Sequence, residues 1–86
     1  MVYQTVEGYI TKLKADDFAN NGYPRGDIFI SPFNGKRAVC VWADTDLYLI
    51  ACKAHAEGWP VFVRAMVMDE GSLVADMIKV KIGMAK

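Results

Sequence analysis

The segment from Pro60 to Ile82 constrains the fold more than any other part of the chain. It consists of two apolar runs, rich in β-branched residues, joined by the polar linker Asp69-Glu70-Gly71-Ser72. Two such runs separated by a short linker that contains glycine are typical of a β-hairpin, with Gly71 expected at positive φ. Because a lone hairpin is only marginally stable in water, the rest of the chain must cover its faces.

Both side-chain phases of this hairpin are apolar, so alternation alone does not identify the buried one. We assign the phase rich in valine and isoleucine to the core. That phase contains Val61, Val63, Ala65, Val67, Val74, Ile78, Val80 and Ile82. Asp76 falls in the same phase, and we expect its carboxylate at a barrel rim or a bulge, hydrogen-bonded to backbone.

Composition limits the class of protein. The 86 residues correspond to a single domain, residues 1–86, and 53% hydrophobic residues exclude a disordered chain. Ten basic and ten acidic side chains give zero net charge, which weighs against a dedicated duplex-DNA binder. No apolar run approaches the roughly 18 residues of a membrane span, and no signal-peptide pattern begins the sequence. We therefore expect a cytoplasmic protein without a membrane partner.

The first part of the chain predicts a long strand followed by a loop. Val2 to Lys14 alternates as a strand does, and Leu13 departs from the apolar phase, as at a bulge. Gly8 in the middle of this strand is typical of a sharp bend or of a close approach by another backbone. Residues 15–26 contain several turn dipeptides and predict a long loop, which is often functional.

Two more strands and a helix follow. Asp27 to Phe33 and Lys36 to Ala43 are strand-like and are separated by Asn34-Gly35, a strong hairpin signal. Residues 45–57 predict a helix, capped by Asp44 or Thr45 and ended by Gly58. Its core-facing stripe is predicted to consist of Leu47, Ile50, Ala51 and Ala54.

The resulting order has five strands, with one α-helix between strands 3 and 4. This chain resembles the OB-fold, a five-stranded Greek-key barrel, over nearly its whole length, from Tyr3 to Ile82. The resemblance is strongest in AHAEGWPVFVRAMVMDEGSLVADMIKVKI, where a helix ends at glycine, a strand runs Pro-Val-x-Val and an Ala-Asp-x-Ile-x-Val strand closes the barrel. It implies a mainly β, OB-like fold and no specific family.

The outer apolar phase favours a self-associating assembly module as the function. A contiguous outward apolar surface of several hundred square ångströms is uncommon on a soluble monomer, and methionine suits adaptable contact surfaces. The residues expected to mediate self-association are Leu49, Ala56, Phe62, Met66, Met68, Leu73 and Met77. A miscounted strand phase remains the alternative, because one bulge exchanges the two faces.

Binding of single-stranded nucleic acid is the second hypothesis. The resemblance implies a ligand site across strands 2 and 3 and the 15–26 loop, where aromatics stack on bases and cations follow phosphates. The residues expected there are Tyr23, Arg25, Phe29, Phe33, Lys36, Arg37 and Trp42, with Phe18 and Lys12 nearby. The alternative is that most of these aromatics only pack in the core or rim.

Signals for catalysis or a cofactor are weak. His55 follows Cys52 at contact spacing on the predicted helix, but nothing in the sequence orients the imidazole or supplies an oxyanion hole. Cys40, Cys52 and His55 lack a fourth zinc ligand, and no phosphate-binding loop is present. We therefore expect a protein that is not an enzyme and holds no cofactor or metal.

The two cysteines are expected to be buried thiols, with a disulfide as the alternative.

Overall fold

The structure, a computed structural model, describes residues 2–16 and 23–83. The elements are β1 (Tyr3–Ala15), β2 (Gly26–Pro32), β3 (Val39–Ala43), α1 (Thr45–Glu57), β4 (Val61–Val67) and β5 (Leu73–Val80). The strands close into a barrel in the order β1-β2-β3-β5-β4. All neighbours are antiparallel except β3 and β5, which are parallel. The predicted fold class, an OB-like five-stranded barrel with one helix between β3 and β4, is confirmed.

β1 pairs with β4 along its first half and with β2 along its second half, which contains a bulge. Ile10 lies opposite Ile30, but Lys12 lies opposite Phe29, so Thr11 is an extra residue on β1. The extra residue directs Leu13 toward the core and leaves Lys12 exposed. This is the bulge that the phase of Leu13 predicted.

Gly8 lies where β1 contacts both of its neighbours. It is paired with Pro32 on β2 and with Val61 on β4. A Cβ atom at this position would overlap the backbone carbonyl of Ser31. The strands can therefore approach only because residue 8 has no side chain, as the sequence predicted.

The barrel interior is filled by aliphatic side chains, and α1 closes one end. The fully buried large side chains are Ile28, Ile30, Val41, Val61, Val63 and Pro60. The helix caps are as predicted: the Asp44 side chain accepts a hydrogen bond from the Thr45 N–H (2.8 Å), and Gly58 adopts a left-handed conformation with φ of 73°.

The buried stripe of α1 differs from the prediction by one position. Tyr48, which was not assigned to the stripe, is only 4% exposed, whereas Ile50 is 37% exposed. Ala51 and Ala54 are buried as expected. Tyr48 belongs to the core cluster together with Ala51 and Ala54, so the buried stripe follows positions 48, 51 and 54 and Ile50 lies outside it.

A second bulge changes the phase of β5. Arg64 lies opposite Met77, but Ala65 lies opposite Ala75, so Asp76 is the extra residue. The predicted bulge at Asp76 is therefore present, although its carboxylate pairs with Arg64 rather than with backbone. Beyond the bulge Ala75, not Val74, is the buried residue.

Two further boundaries differ from the prediction. Ile82 lies after the end of β5 and is 73% exposed, so it is not a core residue. β3 begins at Val39 rather than Lys36, because the turn at Asn34-Gly35 continues into a longer connection, in which the Lys36 N–H donates to the Asn34 side chain (3.0 Å).

Within the described ranges, no helix is long and apolar enough to cross a membrane.

Candidate ligand-binding face

The outward side chains of β1, β2 and β3 form one surface, which we call the three-strand face. It consists of Tyr9, Lys12, Lys14, Asp27, Phe29, Ser31, Cys40 and Trp42. On β2, for example, Phe29 is half-buried and points outward between the fully buried Ile28 and Ile30. Core packing of the flanking residues therefore fixes the direction of each side chain on the face.

The strand register arranges this face in rows. Starting at the end nearest the β1–β2 loop, the rows are Lys14–Asp27–Trp42, Lys12–Phe29–Cys40 and Tyr9–Ser31. Directly opposed residues on neighbouring strands have Cβ atoms about 5 Å apart. Both lysines thus lie along the β1 side of the face, and each belongs to the same row as an aromatic residue.

Three contacts hold the aromatic side chains in place. The indole Nε1–H of Trp42 donates a hydrogen bond to the Asp16 carboxylate (2.9 Å). The ammonium of Lys12 lies 5.4 Å from the centroid of the Phe29 ring, a cation–π distance. The Tyr9 and Phe33 rings meet edge to face, with centroids 5.3 Å apart and an interplanar angle of 82°. Each ring therefore has a polar, charged or aromatic partner within the face or beside it.

A cleft of about 400 Å³ adjoins the Trp42 end of the face. Its lining includes Trp42, Asp27 and Cys40 from the face, together with Leu73 and the linker residues 71–72 of the β4–β5 hairpin. The hairpin linker and the face thus form two sides of one depression.

Asp27 is the anionic group of the cleft, and its influence is visible at Cys40. The pKa of the Cys40 thiol is raised, first by burial and then by the negative charge of Asp27 and a side-chain hydrogen bond to it, while Lys14 acts in the opposite direction. Cys40 therefore stays a neutral thiol at pH 7 and is a poor nucleophile.

The predicted ligand-binding residues are distributed along the length of this region. Tyr23, 62% exposed, and Arg25 precede β2 at one end; Phe29 and Trp42 are on the face; Phe33, Lys36 and Arg37 are exposed beyond the other end. Because β2 spans about 20 Å, these residues describe a track along the face and not a single pocket. Phe18 lies outside the described residues.

Sequence reasoning did not assign Tyr9 or Lys14 to this site, and it placed Lys12 only at the margin. All three belong to β1, whereas the resemblance to the OB-fold predicts a ligand site on the second and third strands. The signal was present in the phase shift at Leu13, since a bulge there turns Lys12 and Lys14 toward the side on which Tyr9 already points.

The residues predicted to mediate self-association lie at three places: on α1, on the outside of β4 and β5, and at the hairpin tip. Leu49 and Ala56 are exposed on α1; Phe62, Met66 and Met77 are half-buried on the outside of β4 and β5; Met68 and Leu73 lie at the hairpin tip. The length of β4, about 20 Å, separates the helix end from the tip. Between the two, Arg64 lies over the Tyr3 ring, 5.0 Å from its centroid, and interrupts the apolar surface with charge.

An apolar groove lies between α1 and the end of β5, and we call it the helix groove. Its volume is about 460 Å³, and it is lined by Leu49, Ile50, Lys53, Trp59, Val80 and Ile82. Leu49 is the only member of the predicted self-association set in this lining. Ile82, 73% exposed, forms one margin of the groove.

Cys52 and His55, which have contact spacing on α1, each contact the barrel. The Nδ1 atom of His55 lies 2.9 Å from the backbone carbonyl oxygen of Ile10, which links α1 to β1. Cys52 packs against the core, and burial raises the pKa of its thiol. Both cysteines are free thiols, and Cys40 is exposed rather than buried as expected. In residues 2–16 and 23–83, no three His, Cys, Asp or Glu side chains are grouped closely enough to hold a metal ion.

The barrel topology and the helix position are those of an OB-like barrel at the level of the fold. Comparison with known proteins found no matching family model, no matching curated protein and no matching solved structure. The assignment therefore stays at the level of the fold.

Proposed function

We propose that this protein binds single-stranded nucleic acid along the three-strand face. The observation that carries the proposal is the row arrangement, in which Trp42 and Phe29 are diagonal neighbours on adjoining rows and each of these two rows has a lysine on β1. Aromatic rings accept stacked bases without regard to sequence, and cations beside them bind the phosphates. No bond is made or broken in this function, so the protein is proposed as a binding module and not an enzyme.

The charges of the face support modest affinity. Lys12 and Lys14 are both exposed, and Arg25 lies at the loop end. They are opposed by Asp27 on the face itself, while Asp16 is engaged by the Trp42 indole. With about two phosphates neutralised, the logarithm of the affinity should fall against the logarithm of salt concentration with a slope of about −1.4.

The first prediction concerns these two lysines. A fluorescein-labelled 12-nucleotide single strand should show a rise in anisotropy with protein concentrations up to about 100 µM at low salt. In the variant Lys12→Gln/Lys14→Gln the affinity should fall and the salt slope should approach zero, because the phosphate contacts are lost. Titrations at several salt concentrations measure both quantities.

The matched control is Lys53→Gln/Lys79→Gln, which removes two exposed lysines from α1 and from the outside of β5. It should retain the wild-type affinity and slope. Absence of any anisotropy change with the wild-type protein would refute the proposal. Equal losses in both double variants would place binding elsewhere or make it a non-specific effect of net charge.

Self-association remains the second candidate, and the helix groove favours it. Leu49 and Ile50 are 49% and 37% exposed and face Trp59 and Val80 across the groove. A second copy of the chain presents the same exposed aliphatic side chains, so a twofold contact would bury both sets. This interface would leave the three-strand face free, and the two functions are compatible.

The second prediction tests this contact through Leu49→Glu. A carboxylate placed in the apolar groove should raise the dimer dissociation constant at least about tenfold, because it would be desolvated without a partner. Light scattering and sedimentation at micromolar concentration measure the change. Met68→Glu, at the opposite end of the barrel, is the control and should not alter it. A wild-type protein that sediments at 9.6 kDa over this range would contradict the candidate.

A further inference from the structure

We propose that the cleft beside Trp42 selects the base it receives, that Asp27 is the selecting residue, and that cytosine is preferred over thymine or uracil. The inference rests on the proposed function and concerns the same face. Trp42 supplies the stacking surface, and Asp27 is its direct neighbour in the row and shares the lining of the cleft. A base that stacks on the indole therefore presents its edge to the Asp27 carboxylate.

A hydrogen bond holds the Trp42 indole in one orientation, so that every stacked base would present its edge to Asp27 in the same way. Its N–H is bound to Asp16, so Trp42 cannot use that group to bind a base and cannot rotate without losing the bond. The residue opposite Asp27 on the other side is Lys14, which is exposed and close to where a phosphate would lie. Stacking surface, edge acceptor and cation thus occupy one row in that order.

Few other polar side chains of the cleft lining compete with Asp27 for the base edge. The Ser72 hydroxyl donates to the Glu70 carboxylate at 2.6 Å and is engaged there. The Cys40 thiol is only a weak donor, and the negative charge of Asp27 helps to raise its pKa. An ionised carboxylate only accepts hydrogen bonds, so the side chains of the cleft offer the base a strong acceptor and no strong donor.

A cleft with a strong hydrogen-bond acceptor and no strong donor distinguishes cytosine from thymine and uracil. Cytosine carries an exocyclic amino group, N4–H₂, which donates to a carboxylate. Thymine and uracil carry a carbonyl oxygen at that position, and the carbonyls that flank their single N3–H are repelled by the negative charge. Cytosine and thymine or uracil have similar ring size and stacking area, so the hydrogen-bonding groups on the base edge decide which of them binds beside Asp27.

The experiment compares 12-nucleotide oligocytidine and oligothymidine by anisotropy at pH 7.5 and low salt. The wild-type protein should bind the cytosine strand at least about fivefold more tightly. In Asp27→Asn the ratio should fall to within about twofold, because an amide both donates and accepts. Asp76→Asn removes the same charge from the outside of β5 and should keep the wild-type ratio.

The outcomes are distinguishable. Equal affinity of the wild-type protein for both strands overturns the selection but leaves the proposed function standing, since both strands then bind. Failure of both strands to bind overturns the function and the selection together. A cytosine preference that persists in Asp27→Asn refutes the role of Asp27. Far-ultraviolet circular dichroism of each variant verifies that the barrel is intact, and the wild-type comparison requires no variant.

Discussion

Replacement of Gly8 by alanine is expected to destabilise the barrel by about 3 kcal/mol, which is a large part of the stability of so small a domain. The added Cβ would overlap the carbonyl of Ser31 and crowd the Cα of Pro32. These are backbone atoms of the paired strand β2, so no side-chain rotation can relieve the clash. Moving β2 away would break the β1–β2 ladder at the position where β1 is also bound to Val61 of β4.

Urea denaturation followed by circular dichroism measures this loss. Gly35→Ala is the matched control: Gly35 has a φ of 76°, and no atom lies within 4 Å of where its Cβ would be. It should cost about 1–2 kcal/mol, from backbone conformation alone. Gly8→Ala should therefore be clearly the more harmful change. A smaller loss at Gly8 than at Gly35 would show that the strands at this crossing can separate without cost.

The local signals of the sequence were sufficient for the elements and for their order. Asp44 and Gly58 marked the ends of the helix because capping depends on the chemistry of one or two neighbouring residues. On β4 both phases are apolar, and the preference of valine for the core, not alternation, identified Val61 and Val63 as inward-facing. Such features predict an element without knowledge of its partners.

Beyond each of the two bulges, alternation along the strand no longer predicts which side chains point inward. One extra residue at Thr11 and one at Asp76 each exchange the inward and outward phases of the next part of the strand. The sequence indicated both positions, but the consequences for Lys14 and Val74 depend on pairing with another strand. Pairing register is a long-range property and is not encoded in a single strand.

The candidate site was predictable to a similar extent. The fold class placed Phe29 and Trp42 on adjoining strands 2 and 3, but the direction of the Trp42 side chain could not be predicted because both phases of strand 3 are apolar; the structure has both rings half-buried on the outer side. The neighbouring Asp27 was not singled out, since a carboxylate on a proposed nucleic-acid surface looks unfavourable until its place beside Trp42 is known. Burial patterns also could not reveal that the outward apolar residues of α1 and of the hairpin tip lie at opposite ends.

Simultaneous loss of both stacking surfaces should have the largest effect on ligand binding. In Phe29→Ala/Trp42→Leu, the affinity for a single-stranded 12-mer is expected to fall about 30-fold or more, because each stacked base contributes about 1–3 kcal/mol. Both residues are half-buried and point outward, while the adjacent Ile28 and Val41 keep the core filled. Anisotropy titration at low salt measures the loss.

The chain itself contains the matched control, Phe62→Ala/Trp59→Leu. Phe62 and Trp59 are also half-buried, but Phe62 lies on the outside of β4 and Trp59 lines the helix groove. Both double variants remove the same two ring types, so a general loss of stability would lower binding in each. A stacking role predicts loss in the first variant only. If the two variants bind equally well, bases do not stack on Phe29 and Trp42, whatever the charge of the face contributes.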